Sequence, residues 1–104
     1  MVSTVLVANR GEIACRILRA CKEAGLTSVA IYAANDAKSL FVELADHAVL
    51  LEGDTITDTY LNQSQILKIA ATSGADALHP GFGFLSERAD FARAVSEAGI
   101  QWIG

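Results

Sequence analysis

Short apolar runs alternate along this chain with segments of helical periodicity. The runs are rich in valine, isoleucine and alanine, which is typical of strands buried on both faces of a parallel sheet. The predicted strands cover residues 5–8, 28–32, 48–51, 77–79 and 101–103. The predicted helices cover residues 12–24, 62 or 64 to 71, and about 87–98, with a short helical turn over 40–45. Strict alternation predicts an α/β fold, a Rossmann-like open parallel sheet of about five strands with flanking helices.

Ligands of such sheets bind outside the carboxyl ends of the strands, so two loops are of most interest. The first is Asn9-Arg10-Gly11, after the first strand, and the second spans residues 80–86, after the fourth. In the second loop, Gly81 and Gly83 permit close backbone approach, and Phe82 offers a flat apolar wall to a ring-shaped ligand. Core packing of its phenylalanines is an equally good interpretation. Ser86 is well placed to cap the helix that follows.

The first predicted helix has two distinct faces. One is apolar and is predicted to pack on the sheet through Ile13, Ile17, Ala20 and Ala24, widened by Ala14, Leu18 and Cys21. The other face is charged, and it places Glu12 four residues from Arg16 and Arg19 four residues from Glu23. Pattern alone favours a solvated charged face over its alternative, a self-complementary patch that pairs with a two-fold copy.

Composition narrows the class of protein. The chain has 104 residues, 52% of them hydrophobic and 19% charged, which predicts one globular domain able to fold alone. A net charge of −4 argues against nucleic-acid binding. No apolar run is long enough to span a membrane and no signal peptide is evident, so we expect a cytoplasmic protein. Cys15 and Cys21 lie about 240° apart on a helix, and we expect no disulfide and no metal site.

The glycine-aromatic loop is a poor match to a nucleotide-binding loop. It resembles a degenerate dinucleotide fingerprint with Ser86 in place of the last glycine, but it follows the fourth strand, and the first turn has only Gly11. No phosphate-binding Gly-Lys-Ser/Thr sequence occurs. A stand-alone Rossmann-type nucleotide-binding domain and a dimerisation module nevertheless remain as alternative functions.

Several segments together resemble the amino-terminal part of biotin carboxylases. They are Ala-Asn-Arg-Gly-Glu-Ile-Ala at 8–14, Arg-Ile at 16–17, Arg-Ala-Cys-Lys at 19–22, His-Pro-Gly-Phe-Gly-Phe-Leu-Ser-Glu at 79–87, and Trp-Ile-Gly at 102–104. Asp46 and Tyr60-Leu61 also fall where that pattern has them. The resemblance implies that residues 1–104 form the amino-terminal, pre-ATP-grasp domain of a biotin carboxylase, as in the alpha chain of acetyl- or propionyl-CoA carboxylases. The ATP-grasp lid and the carboxyl-terminal domain of such an enzyme are not in this chain.

The resemblance also implies a reaction and a set of partners. Biotin carboxylases use ATP and bicarbonate to form carboxyphosphate, and the released CO₂ carboxylates N1 of biotin on a carrier domain. ATP and Mg²⁺ are bound mainly by the domains not present, so this chain holds no catalytic residue and is expected to be inactive alone. Its implied partners are the rest of the biotin carboxylase, the biotin carboxyl carrier domain, the carboxyltransferase subunit and, as a homodimer, a second copy. The acyl acceptor stays open.

Two groups of residues match functional positions of that family. Gly81, Phe82 and Gly83 match the loop that borders the biotin ring, and Arg16, Arg19 and Glu23 match the homodimer contact. The family usually has tyrosine where Phe82 stands. Phenylalanine keeps the flat wall and loses the hydroxyl.

Overall fold

The computed structural model describes residues 1–104 and has one five-stranded sheet with every strand parallel. The strands are β1 (Thr4–Val7), β2 (Thr27–Tyr32), β3 (His47–Leu50), β4 (Ala77–His79) and β5 (Gln101–Trp102). The helices are α1 (Gly11–Glu23), α2 (Leu40–Leu44), α3 (Gln63–Thr72) and α4 (Ala89–Glu97). The predicted α/β fold with an open parallel sheet is confirmed. None of the helices is long and apolar enough to cross a membrane.

The strand order β3-β2-β1-β4-β5 places the topological switch between β1 and β4. From β1 the chain winds outward through α1 to β2, and from β4 it winds the other way through α4 to β5. Connections that leave on opposite faces open a crevice at the carboxyl ends of the two central strands. The two loops singled out from the sequence border this crevice.

The core has one layer of side chains on each face of the sheet. The layer beneath α3 and α4 contains sixteen buried residues, among them Ile66, Phe91 and Leu78. The layer beneath α1 and α2 contains nine, among them Leu18 and Phe41. The α1 side therefore has the smaller of the two buried layers.

Helix α1 is rotated relative to the prediction. Its buried residues are Ala14, Cys15, Leu18 and Cys21. Ile13 and Ile17 are only half-buried and Ala20 and Ala24 are exposed, so the prediction that these four form the packed face was wrong. The predicted burial of Ala14, Leu18 and Cys21 beside them is confirmed. The packed stripe therefore runs through both cysteines, which are buried, and not through Ile13 and Ile17.

Helix α4 begins two residues later than predicted, and Ser86 does not cap it. Arg88 occupies the N-cap position without a capping side-chain hydrogen bond. Ser86 instead lies in a turn, where its backbone N–H donates to the Gly83 carbonyl at 2.9 Å. That turn directs the fully buried Leu85 into the core before the helix begins.

Candidate functional site

The turn after β4 has an unusual backbone. Gly81 (φ 68°), Gly83 (φ 75°) and Phe84 (φ 48°) all adopt left-handed conformations. Phe84 is the one non-glycine residue of the chain with positive φ, a sparsely populated region for a bulky side chain. Three such residues within four positions define a tight, specific turn.

The two phenylalanines of this turn have opposite environments. The Phe84 ring packs against the Tyr60 ring, with centroids 5.5 Å apart, and contributes to the core. The Phe82 side chain is 74% exposed. The two interpretations left open by the sequence therefore apply one to each ring, because the partly buried Phe84 packs against the core and Phe82 is exposed.

Asn9 connects this turn to the end of β1. The residue is 1% exposed, and its Nδ2 donates to the carbonyls of both Pro80 and Phe82 at 2.8 Å. Its Oδ1 accepts from the Arg10 backbone N–H at 2.8 Å. The predicted site residue Phe82 and the loop after β1 are thus joined by one side chain.

His79 supports the same turn from the end of β4. Its Nδ1 accepts a hydrogen bond from the Gly81 backbone N–H at 3.1 Å, which requires that nitrogen to be unprotonated. Burial lowers the pKa of the imidazole and so favours the neutral ring. The backbone on the amino side of Phe82 is therefore held by His79 as well as Asn9.

An ionic network lies beyond the carboxyl ends of β1 and β2, where the side chain of Asp36 is buried and that of Arg10 is partly exposed. The Asp36 carboxylate accepts from Arg10 Nε at 2.7 Å and from the Tyr60 hydroxyl at 2.6 Å, and the Tyr60 oxygen accepts from the Ala33 N–H. The hydrogen bond from Arg10 lowers the pKa of Asp36, whereas burial raises the pKa of Tyr60 to about 12. Because Tyr60 also packs on Phe84, the network fixes the far end of the turn.

The outer face of α1 borders the crevice. A surface pocket of about 230 Å³ is lined by Ile13, Arg16, Ile17, His79, Gly81 and Phe82. A neighbouring pocket of about 410 Å³ shares Arg16, Ile17 and His79 with it and extends to Ile103. Arg16 therefore lies beside the glycine-aromatic turn, and the two predicted groups of site residues occupy adjacent surfaces.

The charged face of α1 differs in detail from the prediction. Neither four-residue pair, Glu12 with Arg16 or Arg19 with Glu23, forms an ion pair. Arg19 instead lies 3.8 Å from Glu12, two helical turns away, with both side chains exposed. An exposed contact at this distance contributes little to stability, so these charges remain available to another molecule.

Sequence reasoning missed the two hydrogen bonds from Asn9 to the turn after β4 and the ionic network around Asp36. The signal for Asn9 was present, since a polar residue directly followed an apolar strand at a predicted ligand-binding edge. The pairing of Asp36 with Arg10 and Tyr60 has no local sequence pattern, because the three residues are far apart along the chain. No three His, Cys, Asp or Glu side chains lie close enough together to hold a metal ion.

Comparison with known proteins identifies the family. The model of the biotin carboxylase N-terminal domain matches residues 1–104. The biotin-dependent acyl-coenzyme A carboxylase alpha3 subunit of Mycobacterium leprae is 56% identical over 99% of this chain, which spans 17% of that protein. Biotin carboxylase 1 of Bacillus subtilis is 45% identical over the whole chain, which spans 23% of it.

A solved structure agrees with these sequence matches. The biotin carboxylase domain dimer of Hydrogenobacter thermophilus 2-oxoglutarate carboxylase, solved with MgADP, ADP and bicarbonate, superposes with a TM-score of 0.96 at 50% identity. The match covers all of this chain and 23% of that one, so the chain spans about a fifth of the length of these relatives. The residues matched, the identity and the shared fold together show that the chain belongs to the family of biotin carboxylase N-terminal domains.

Proposed function

We propose that this chain is the first domain of a biotin-dependent carboxylase and contributes one wall of its biotin site. The whole enzyme would use ATP and bicarbonate to carboxylate N1 of biotin on a carrier domain. The observation that carries the proposal is the exposed Phe82 ring on a turn held by Asn9 and His79 at the switch point of the sheet. An exposed aromatic ring on a fixed backbone suits a small, flat, partly apolar ligand such as the biotin ring system.

The rest of the machinery is assigned to other parts of the enzyme. An ATP-grasp lid and a carboxyl-terminal domain would bind ATP and Mg²⁺ and perform phosphoryl transfer. A carrier domain would bring biotin, and a carboxyltransferase subunit would use the product. The acyl acceptor is chosen by that last partner, and relatives of this chain include pyruvate carboxylases as well as acyl-coenzyme A carboxylases. The free buried thiols of Cys15 and Cys21 suit a reducing compartment, and we place the enzyme in the cytoplasm.

Substitution of Phe82 tests the biotin wall. In the full-length enzyme, Phe82→Ala is expected to raise the KM for free biotin by about tenfold, because an aromatic contact contributes roughly 1 kcal/mol or slightly more. The KM for ATP is expected to stay unchanged. Steady-state carboxylation assays with varied biotin measure both. The matched control is Phe82→Tyr, which keeps the flat wall and is expected to keep the KM for biotin near its original value. An unchanged KM in Phe82→Ala would refute the assignment.

We further propose that the outer face of α1 pairs with a second copy of the domain in the whole enzyme. Arg16, Arg19 and Glu23 are exposed and carry charges of both signs at helical spacing, so two antiparallel copies of the helix can match opposite charges about a two-fold axis. The apolar pocket beside Ile17 supplies adjoining surface that such a copy would cover. In support, the H. thermophilus biotin carboxylase domain was solved as a dimer.

Charge reversal tests this contact. The double variant Arg16→Glu/Arg19→Glu places four like charges on each helix face and is expected to weaken dimerisation of the full-length enzyme by at least about tenfold. Sedimentation velocity over a concentration series measures the dissociation constant. The control is Lys22→Glu, a single charge reversal, half the charge change of the double variant, on an exposed residue of the same helix outside the proposed contact. Equal effects of the two changes would indicate general electrostatics and would remove the basis for assigning the contact to these residues.

A further inference from the structure

The Phe82 ring has few neighbours to hold it. With 74% of its surface exposed, its direction depends on the backbone that carries it and not on side-chain packing. Asn9 controls that backbone, because its Nδ2 binds the carbonyl that precedes Gly81 and the carbonyl of Phe82 itself. We propose that Asn9 is the positioning residue of the biotin wall: it holds Phe82 in the orientation that accepts the ring. This inference rests on the proposed role of Phe82.

The chemistry of the contact is specific to asparagine. The two N–H groups of the amide match two carbonyls, and its oxygen accepts the Arg10 N–H, so every strong donor and the acceptor of the side chain is used. Aspartate at this position would present only acceptors to the two carbonyls. Alanine would leave the buried Pro80 carbonyl and the part-buried Phe82 carbonyl without this partner. Glutamine would place the amide one methylene farther out.

The contact also leaves little freedom. A Cβ atom at Gly81 would lie 2.8 Å from Asn9 Nδ2, so the amide fits directly beneath a residue that has no side chain. Its buried position at the carboxyl end of β1 ties the turn to a central strand of the sheet. A rigid anchor of this kind lowers the conformational cost of ligand binding, and its loss should appear in the KM for the ligand that the wall contacts.

Substitution of Asn9 in the full-length enzyme tests the proposal. Asn9→Ala is expected to raise the KM for free biotin roughly fivefold or more, and Asn9→Asp to raise it further. Bicarbonate-dependent ATP cleavage measured without biotin is expected to stay within about twofold, since that half of the reaction does not use the wall. Asn9→Ser keeps a hydroxyl donor, and its KM for biotin is expected to lie between those of Asn9→Ala and the original enzyme. It replaces Asn9→Ala in the assay if the alanine variant does not fold.

A double-mutant cycle identifies the route of the effect. If Asn9 acts through Phe82, Asn9→Ala should change the KM for biotin by less than about twofold once Phe82 is already alanine. The control for simple destabilisation is Asp76→Asn. Asp76 accepts from the backbone N–H groups of Ser3 and Thr4 at the amino ends of β1 and β4, the opposite end of these strands from the turn, so its loss should lower stability and leave the KM for biotin unchanged.

The outcomes separate this inference from the function on which it rests. A raised KM in Phe82→Ala with an unchanged KM in Asn9→Ala would overturn the positioning role and keep the biotin wall. Fully additive effects of the two substitutions would overturn it as well, because Asn9 would then act independently of Phe82. An unchanged KM for biotin in Phe82→Ala would contradict the proposal that Phe82 forms a wall of the biotin site.

Discussion

Replacing Asp36 with alanine is expected to lower the free energy of unfolding of this domain by about 3 kcal/mol at pH 7. The Asp36 carboxylate is 4% exposed, so its loss leaves the buried Tyr60 hydroxyl without its acceptor and the Arg10 guanidinium without its ion pair. Arg10 is partly exposed and can regain water, which keeps the loss at the lower end of the range for broken buried pairs. Urea denaturation followed by the fluorescence of Trp102 measures the change.

The pH dependence of this loss is a second readout. Because the hydrogen bond from Arg10 lowers the pKa of Asp36, the unfolded state takes up the proton first as the pH falls. The stabilisation is therefore complete above the ordinary pKa of 3.8 and is lost as the pH falls below it. The difference in free energy of unfolding between the original protein and Asp36→Ala should become smaller below about pH 4. Asp54→Ala, at an exposed position, is the control, and a loss as large as that of Asp36→Ala would contradict the argument.

The architecture could be predicted because it depends on local patterns. Apolar runs mark the strands and glycines such as Gly25 and Gly74 end the helices, so element order and the parallel sheet followed from the sequence. Every predicted boundary of a helix or strand lies within two residues of the observed one, and the start of α4 shows the largest difference. The turn over residues 81–84 was also expected directly after β4, because Pro80, Gly81 and Gly83 follow the apolar run there.

The rotation of α1 and the buried contacts could not be predicted in the same way. Ile13 and Ile17 have the spacing of a packed face, but the neighbouring stripe that contains Cys15 and Leu18 is equally apolar, and only tertiary packing decides between the two. The contacts of Asn9 with Pro80 and Phe82 join residues more than seventy positions apart. Such pairs become visible only when the order of the strands brings β1 beside β4.

Gly81→Ala is expected to have the other large effect, a loss of about 3 kcal/mol in unfolding free energy together with a raised KM for biotin in the full-length enzyme. The left-handed backbone at Gly81 (φ 68°) accounts for about 1–2 kcal/mol of this loss. The rest comes from crowding, because the new Cβ would lie 2.8 Å from both Asn9 Nδ2 and Ile13 Cγ2. Either the amide withdraws from its two carbonyls or the turn moves away from α1.

Gly83→Ala separates these two contributions. Gly83 has almost the same backbone conformation (φ 75°), but a Cβ there would meet no atom within 4 Å. Its substitution should therefore cost only the backbone strain, about 1–2 kcal/mol, and should leave the contacts of Asn9 in place. The difference between the two glycine variants, measured by urea denaturation, reports the close approach of Asn9 and Ile13 alone. Equal losses in the two variants would show that backbone conformation accounts for the whole effect and that the turn tolerates displacement from β1.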